Sequence, residues 1–409
     1  MAAAILLVLA VVAAPPPPPL DVRPPDAPAA HPSGVAGATS PPPPPATVVH
    51  DVPPGVHFTV VPLLSYGSDI GTQLGGVFYL YDIDEQGERG DWAALGGTWT
   101  THGPAGVELK GELLHLRGTS LRTFAQLKLA LDPSAPYWGD GASLSGPGLP
   151  SPVAPGAGSP PPPYRYRSFG PWISWILRGT VAGPLDWWTR LRTTHVTVED
   201  APALLVASAP PGAGGGTSSL VHAGVVYDTR DRTASPRRGF LVDASGFVSP
   251  GPLSDFSMGG LDLGARAYAT LWPGGVLAVR ILYDLKLGDV PFFERTLYEG
   301  IGYGEGLGGS GTIRGLARDR LAGEEKLLAS AELRTSLVET RWFGRLQEWG
   351  LSAGLDAGRA RDRGYAPVLG AGGFGGARVL LDRSIVLRFD VGWAGQGALG
   401  YYIAFDEAF

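Results

Sequence analysis

Three short patterns in this 409-residue sequence have the residue types of catalytic or ligand sites. The segment 304–309 spells G-x-G-x-x-G, but no strand pattern leads directly into it and no helix pattern follows, as a dinucleotide site requires. The segment 82–87 begins like a calcium loop, yet its twelfth position, Ala93, is not the required glutamate. His222 and Asp228 have no nucleophilic serine that can be placed beside them. Because the chain also has no cysteine for thiolate chemistry, the sequence predicts no enzyme, no metal site and no cofactor.

A single arginine in a long glycine-rich insert is the stronger candidate. The segment 308–316 reads GGSGTIRGL and includes Arg314. It lies in the insert 288–325, which joins two segments of alternating apolar and polar residues, whereas most other connections are short. Long loops in compact domains are usually functional, and a guanidinium is suited to a two-pronged contact with a carboxylate. The pattern predicts a functional loop whose arginine pairs with an acid.

Composition restricts the elements that can position this insert. The chain has 61 glycines and 17% charged residues. It contains no apolar run of about 18 residues, so helices that span a membrane are excluded. A soluble β protein or a membrane barrel remains. The net charge of -6 and the pI near 5.7 argue against nucleic acid as a partner.

From residue 56 the chain is a succession of alternating segments separated by glycine, proline and aspartate turns, as in transmembrane barrels. An even number of strands lets an antiparallel sheet close with both ends on one side, and closure removes the strand edges that lipid cannot satisfy. Sixteen strands are predicted, at 56–65, 71–82, 91–100, 105–116, 121–131, 164–177, 185–198, 217–228, 238–249, 256–271, 275–286, 326–338, 345–358, 368–381, 384–394 and 399–409.

The parity of the apolar residues supports a barrel. In 326–338 apolar residues occupy the odd positions, and the same division recurs in 275–286 and 384–394. An apolar face against lipid and a charged face toward a wet lumen explain the division. A soluble β-sandwich, the alternative, would use about seven strands rather than sixteen similar ones. The predicted fold class is all-β, a 16-stranded antiparallel transmembrane β-barrel.

The residues before the barrel divide into two segments. Residues 1–14 form an apolar run that ends in small residues and is too short to span a bilayer, which favours a signal peptide. No Lys or Arg precedes the run, so a mis-assigned start is the alternative. Residues 15–55 are rich in proline and are predicted to be a disordered, polyproline-like linker. Residues 56–409 are the predicted barrel domain.

The insert and its flanks resemble a known family. They read VPFFERTLYEGIGYGEGLGGSGTIRGLARDRLAGEEKLLASAELR. This segment resembles the sixth extracellular loop of the BamA/TamA-type outer-membrane assembly barrels, the bacterial surface antigen family. The resemblance implies a long sixth extracellular loop that folds inward, with its tip, Ile313, Arg314 and Gly315, docked on the inner wall of the barrel.

The same resemblance implies an acidic partner for Arg314, within a strand pattern like F-x-D-x-G. The nearest match is G-L-D-A-G at 354–358, with Asp356 in the acidic position and glycine in place of phenylalanine. Asp390, in RFDVG, is the second candidate. Parity places both toward the lumen, so we expect the guanidinium within about 4 Å of Asp356 or, failing that, Asp390. An unpaired arginine in a watery lumen is the alternative.

A second resemblance lies in YDTRDRTASPRRGF, which is similar to the family's Asp-x-Arg-Asp…Pro-x-x-Gly turn. It implies that Pro236 and Gly239 shape the turn and that Asp228, Arg230 and Asp231 pair across it. Solvated turn charges are the alternative.

The last predicted strand, ALGYYIAFDEAF, is rich in aromatic residues. With Tyr401, Phe405 and Phe409 it is similar to the C-terminal signal that the outer-membrane assembly machinery reads.

The family resemblance implies a function in the insertion or translocation of proteins. The implied partners are the lipid bilayer, outer-membrane protein substrates and the assembly machinery, in the bacterial outer membrane with both termini in the periplasm. Family barrels usually carry POTRA domains before strand one, and we expect this barrel to lack them. The strands 56–65 and 399–409 should meet through fewer hydrogen bonds than their neighbours, since Pro62 cannot donate to the ladder. A passive outer-membrane channel and a structural surface antigen are the alternatives.

Overall fold

A computed structural model describes the residues 55–68, 70–83, 89–114, 116, 119–139, 164–232, 235–301, 306–342, 345–381, 385–394 and 399–405. The predicted signal peptide and all but the last residue of the predicted linker lie outside these ranges. Gly55, that last residue, begins the first strand instead.

Sixteen strands follow one another, as the alternation predicts. They are β1 Gly55–Gly67, β2 Gly71–Ile83, β3 Arg89–Thr100, β4 Ala105–Leu113, β5 Arg122–Pro136, β6 Arg165–Ala182, β7 Leu185–Glu199, β8 Gly216–Asp228, β9 Gly239–Val248, β10 Met258–Trp272, β11 Gly275–Gly288, β12 Glu325–Trp342, β13 Arg345–Arg361, β14 Val368–Leu381, β15 Ile385–Trp393 and β16 Leu399–Phe405. A short helix, α1 Ala203–Ser208, and a 3₁₀ turn, Gly251–Leu253, lie in two of the connections. In the described part of the chain no helix has the length and apolarity needed to cross a membrane.

The strands form one closed antiparallel barrel in which each strand pairs with its neighbours in sequence and β1 meets β16. The predicted fold is therefore confirmed. Several strands extend past their predicted ends, notably β6 and β12 with 18 residues each, because the ladder continues beyond the residues that alternate between apolar and polar.

The two faces of the barrel have the polarity that the parity predicts. On β12 the outward Leu333 is 39% exposed, whereas the inward Glu332 is 1% exposed. Lys286 and Lys326 on the inner wall are fully buried. This arrangement is the inverse of a soluble domain, in which charged residues are almost never fully buried.

Among the described residues, strand pairing is sparsest between the first and last strands. Every residue of β1 has a partner on β2, from Gly55↔Ile83 to Gly67↔Gly71. Within the described residues, β1 meets β16 only at Tyr66↔Ile403 and Gly67↔Tyr402. The pairing is sparser than at the neighbouring strands, as predicted. The two described pairs lie past residue 65, and residues 406–409 of the predicted last strand fall outside the described residues.

Candidate functional site

The connection between β11 and β12, residues 289–324 and hereafter the lumen loop, folds back into the barrel. Phe292, Tyr298 and Ile313 are buried, although they belong to a connection and not to the wall. Ile313 packs with other apolar residues of the loop against residues of the wall. The members of this cluster are Leu307, Leu316, Leu321 and Tyr298 of the loop with Leu282, Leu328 and Ala360 of the strands.

Arg314, at the tip of the lumen loop, meets Asp356 of β13 in a two-pronged contact. Arg314 Nε donates to Asp356 Oδ2 at 2.9 Å and Nη2 donates to Oδ1 at 3.2 Å. The backbone N–H of Arg314 also donates to Asp356 Oδ2, at 3.3 Å. Arg314 is fully buried and Asp356 is 1% exposed. The separation lies within the 4 Å expected from the sequence.

Two further carboxylates surround the same guanidinium. Arg314 Nη1 is 3.4 Å from Glu332 Oε2 and 3.5 Å from Asp390 Oδ2. Asp390, the second candidate partner, therefore also contacts Arg314. Asp390 Oδ2 accepts a further hydrogen bond from Arg388 Nη1 at 2.6 Å. Burial alone would lower the pKa of Arg314, but Asp356 and Glu332 outweigh it and raise that pKa above its ordinary value.

Glycines let the tip of the lumen loop approach the wall closely. Gly315 has φ of 101°, and a Cβ there would stand 2.7 Å from the backbone nitrogen of Ala394. On β15, a Cβ at Gly392 would stand 2.5 Å from the carbonyl carbon of Arg314. A side chain at either position would clash. The tip formed by Ile313, Arg314 and Gly315 therefore fits against β15 only because residue 392 is a glycine.

The tip also contacts the last strand. The backbone N–H of Gly315 donates to Tyr402 Oη at 3.1 Å, and Tyr402 is 3% exposed. Tyr401, the residue chosen from the sequence, lies on the outward face at 46% exposure. Phe405 is the last residue of β16, and Phe409 lies outside the described residues. The alternation along β16 places Tyr402 on the inward face, and this signal in the sequence could have identified it.

A second charged cluster holds the entry arm of the lumen loop, and no sequence motif pointed to it. Glu299 Oε1 lies 3.0 Å from Arg192 Nη2 and 3.4 Å from Lys286 Nζ, and Glu299 Oε2 lies 3.0 Å from Arg190 Nη2. Glu294 adds a 2.7 Å contact to Arg192. Burial alone would raise the pKa of Glu299, but Arg192, Lys286 and Arg190 outweigh it and hold that pKa well below its usual range.

His222 belongs to this Glu299 cluster. His222 Nε2 is 3.1 Å from Arg190 Nη2 and 3.7 Å from Glu299 Oε2. Since arginine can only donate, His222 Nε2 acts as the acceptor. Across the residues that the structure describes, no group of His, Asp and Glu has the arrangement of a metal site.

The charges of the predicted turn pair differently from the prediction. Asp228 and Arg230 pair with each other over two residues, at 2.8 and 3.0 Å, and not across the turn. Asp231 instead accepts backbone N–H groups of Arg237 and Arg238, at 2.9 and 3.3 Å. Short local hydrogen bonds of this kind compete well with a longer ion pair.

The shape of the turn depends on its two conformationally special residues. Gly239 has φ of 95°, and a Cβ there would stand 2.2 Å from the carbonyl oxygen of Thr229. Pro236 follows Ser235, which has φ of 49° and accepts from Arg378 Nη2 of β14 at 2.8 Å. Arg237 donates to both carboxylate oxygens of Glu348 of β13, at 2.8 and 2.9 Å. The turn between β8 and β9 thus reaches strands on another part of the barrel.

A known protein family matches the lumen loop and some of the strands that build this site. Residues 189–367 match the Omp85 superfamily domain. This part of the chain is therefore similar to an Omp85 domain. The matched stretch includes the lumen loop and Asp356, whereas Asp390 and Tyr402 follow it. A comparison with curated proteins finds no match.

Solved structures resemble this barrel in fold. BamA from Haemophilus ducreyi lacking POTRA domains 1–3 aligns with a TM-score of 0.59 and 15% identity, over 86% of this chain and 70% of that one. CdiB from Escherichia coli aligns with a TM-score of 0.55 and 12% identity, over 86% and 67%. CdiB from Acinetobacter baumannii aligns with a TM-score of 0.50 and 12% identity, over 86% and 60%. The barrel thus shares the fold of the BamA barrel.

Proposed function

We propose that this Omp85 barrel assists the insertion or translocation of proteins at the outer membrane through the junction between β1 and β16, hereafter the seam. The sparse pairing at Tyr66↔Ile403 and Gly67↔Tyr402 is the observation that carries the proposal. A strand edge in lipid must find a partner for its backbone groups. A substrate strand that adds to β1 would supply that partner.

The exposure of β1 supports an open edge. Outward Phe58 and Val60 are 70% and 64% exposed, whereas their partners on β2, Leu80 and Phe78, are 44% and 43% exposed. The β2 residues are covered by strands on both sides. Among the described residues, β1 has only β2 as a neighbouring strand along most of its length, which fits this difference.

The lumen loop is proposed to control this seam. Gly315, next to Arg314, donates to Tyr402 of β16, so the docked loop helps to fix the last strand against the inner wall. Release of Arg314 from Asp356 would remove this restraint from β16. Outer-membrane protein substrates and assembly machinery are the proposed partners.

The proposed orientation places both chain ends in the periplasm and the lumen loop's entry outside. The strand ends that flank the long connections β5–β6, β7–β8 and β11–β12 lie at one end of the barrel, and the tight turns at 183–184 and 273–274 lie at the other. Outer-membrane barrels place their long loops outside and their short turns in the periplasm.

A reversible lock tests the seam. The chain has no cysteine, so Tyr66→Cys with Ile403→Cys introduces one pair at register partners whose Cβ atoms are about 5 Å apart. The matched control is Thr59→Cys with Tyr79→Cys, partners in the fully paired β1–β2 ladder. In proteoliposomes, the unlocked barrel should accelerate the folding of a denatured outer-membrane protein. Oxidation should abolish the acceleration for the seam pair and spare it for the control pair.

Two outcomes would contradict the proposal. Equal folding rates with the unlocked barrel and with empty liposomes would leave no insertion activity to explain. Large steady openings of the unmodified barrel in a planar bilayer would favour the passive channel, which the docking of the lumen loop on the inner wall argues against.

A further inference from the structure

Three charged residues on the outward face form a cluster at the loop end of β12 and β13. Arg359 Nη2 donates to Glu325 Oε1 at 2.7 Å, and Arg361 Nη2 donates to Glu325 Oε2. The Glu325 side chain is 9% exposed, whereas those of Arg359 and Arg361 are 41% and 50% exposed. The two guanidiniums therefore cover the carboxylate and remain open to the surroundings themselves.

This rim cluster lies where the outward face of β13 stops being apolar. The outward positions before Arg359 are Leu351, Leu355 and two alanines, and Leu355 is 69% exposed. Leu369, the partner of Arg359 on β14, is 75% exposed. In a membrane barrel the outward apolar band ends at the interface with the lipid headgroups. Arg359 and Arg361 therefore stand at headgroup level.

The charge of the rim cluster does not balance. Two guanidiniums and one carboxylate leave a net charge of +1 (2 − 1). A guanidinium has five N–H donors, and each arginine gives one of them to Glu325. The arrangement retains donors and positive charge for an anion. Phosphate is the anion that a planar guanidinium matches in geometry, and lipid headgroups supply it at this level.

We propose that Arg359 and Arg361 form a binding site for the phosphate group of a membrane lipid. Glu325 holds the two side chains side by side, and the exposed leucines beside them receive the acyl chains. The lipid completes the charge balance of the cluster. This site needs only that the barrel spans the membrane, so it stands or falls independently of the proposed function at the seam.

The chain offers a matched control at the same end and on the same face. Arg167 on β6 pairs with Glu199 at 3.5 Å, and the two side chains are 50% and 58% exposed. Here one arginine faces one glutamate, so the pair itself is neutral. Arg167→Gln removes an outward arginine of similar exposure from a balanced pair.

Native mass spectrometry of the purified full-length chain in detergent tests the site. Phosphatidic acid, phosphatidylcholine and inorganic phosphate are titrated separately. We expect one phosphatidic acid to bind at least about tenfold more tightly than phosphatidylcholine, since its phosphomonoester carries the extra charge. Arg359→Gln with Arg361→Gln should remove this preference, and Arg167→Gln should keep it. Equal binding by wild type and the double variant, or equal loss in Arg167→Gln, would overturn the site.

Two further comparisons test whether the ligand is a lipid and provide a second variant if the first does not fold. Binding of inorganic phosphate as tight as that of phosphatidic acid would refute a lipid site. If the double glutamine variant does not fold, Arg359→Lys with Arg361→Lys replaces it, because it keeps the charge and loses the planar fork. Phosphatidic acid should then bind several-fold more weakly than to wild type, and unchanged binding would refute the role of the guanidinium pair.

Discussion

The ring of Phe374 lies over Gly354, its register partner on the neighbouring strand. A Cβ at Gly354 would stand 2.6 Å from Phe374 Cζ. The guanidinium carbon of Arg314 lies 3.0 Å from the centroid of the same ring. Gly354 occupies the place at which the family pattern F-x-D-x-G has phenylalanine. The aromatic ring under the arginine is therefore supplied by β14, and β13 stays bare to admit it.

This relationship predicts that Gly354→Ala destabilises the barrel. The new Cβ would meet Phe374 and would also stand 2.2 Å from the carbonyl oxygen of Ala331, an overpacking that costs about 1 to 3 kcal/mol. Thermal unfolding in detergent, followed by the mobility shift of the folded barrel on gels, measures the change. Gly373→Ala is the control, because its Cβ would find no atom closer than 3.6 Å. Equal shifts for the two variants would contradict the assignment.

Arg314→Ala and Asp356→Ala should each lower the unfolding temperature strongly. Either change leaves a buried charge without its two-pronged partner, which costs about 3 to 5 kcal/mol. Since both changes break one interaction, the double variant should be little worse than either single variant. Arg167→Ala, at an exposed pair, should cost less than about 1 kcal/mol. Fully additive effects would refute the pairing as a unit.

Glu299→Gln tests the cluster that holds the entry arm. The loss of one carboxylate leaves Arg190, Arg192 and Lys286 underpaired, at a cost of about 3 kcal/mol near pH 7. Because the folded-state pKa of Glu299 is lowered, the stability it confers is present above the unfolded pKa of about 4.3 and is lost as pH falls through the folded value.

The stability difference between wild type and Glu299→Gln should therefore shrink as the pH falls below about 4. Unfolding midpoints at a series of pH values measure it. Glu199→Gln, with a side chain that is 58% exposed, is the control and should differ little from wild type at every pH. If the stability difference in favour of wild type grew as the pH fell, the prediction would be contradicted.

Strand parity predicted much of the site, and long-range contacts account for what it missed. Asp356 and Asp390 could be chosen because they resemble the acidic position of the family's F-x-D-x-G pattern, and parity then placed both toward the lumen. The Glu299 cluster could not be chosen from the sequence, because Glu299 is more than 100 residues from Arg190 and Arg192 along the chain. Phe374 was not predicted for a related reason. Its ring reaches Arg314 from β14, whereas the motif G-L-D-A-G on β13 has glycine where the family pattern has phenylalanine.

The choice of Tyr401 over Tyr402 illustrates a different failure. The aromatic pattern of the last strand drew attention to its outward residues, which face lipid in any barrel. Parity already placed Tyr402 inward, but nothing in the sequence says that an inward tyrosine on β16 meets Gly315, which lies 87 residues away in the chain.

Tyr402→Phe removes the acceptor for the N–H of Gly315 and leaves the ring in place. A buried donor without a partner costs about 1 to 3 kcal/mol, so the unfolding temperature should fall modestly. Tyr401→Phe changes a neighbouring residue on the outward face and should have little effect. If Tyr401→Phe proves the more harmful change, the contact between the lumen loop and β16 is not significant in solution.

The last prediction concerns the turn between β8 and β9, which reaches β13 and β14. Arg237 pairs with Glu348, and Ser235 accepts from Arg378. With the lumen loop docked at Arg314, two inserts from two connections occupy the barrel. Each insert should keep the lumen closed when the other is released. Arg237→Gln or Arg314→Ala alone should therefore give at most small, flickering currents in a planar bilayer.

The combination of Arg237→Gln and Arg314→Ala should give larger and longer openings than the sum of the two single variants. Arg238→Gln is the control for the turn, because Arg238 is exposed and its backbone N–H, not its side chain, bonds Asp231. Arg238→Gln combined with Arg314→Ala should behave like Arg314→Ala alone. Steady openings in Arg314→Ala by itself would show that the turn closes nothing, since the lumen loop would then be the sole obstruction to ion flow.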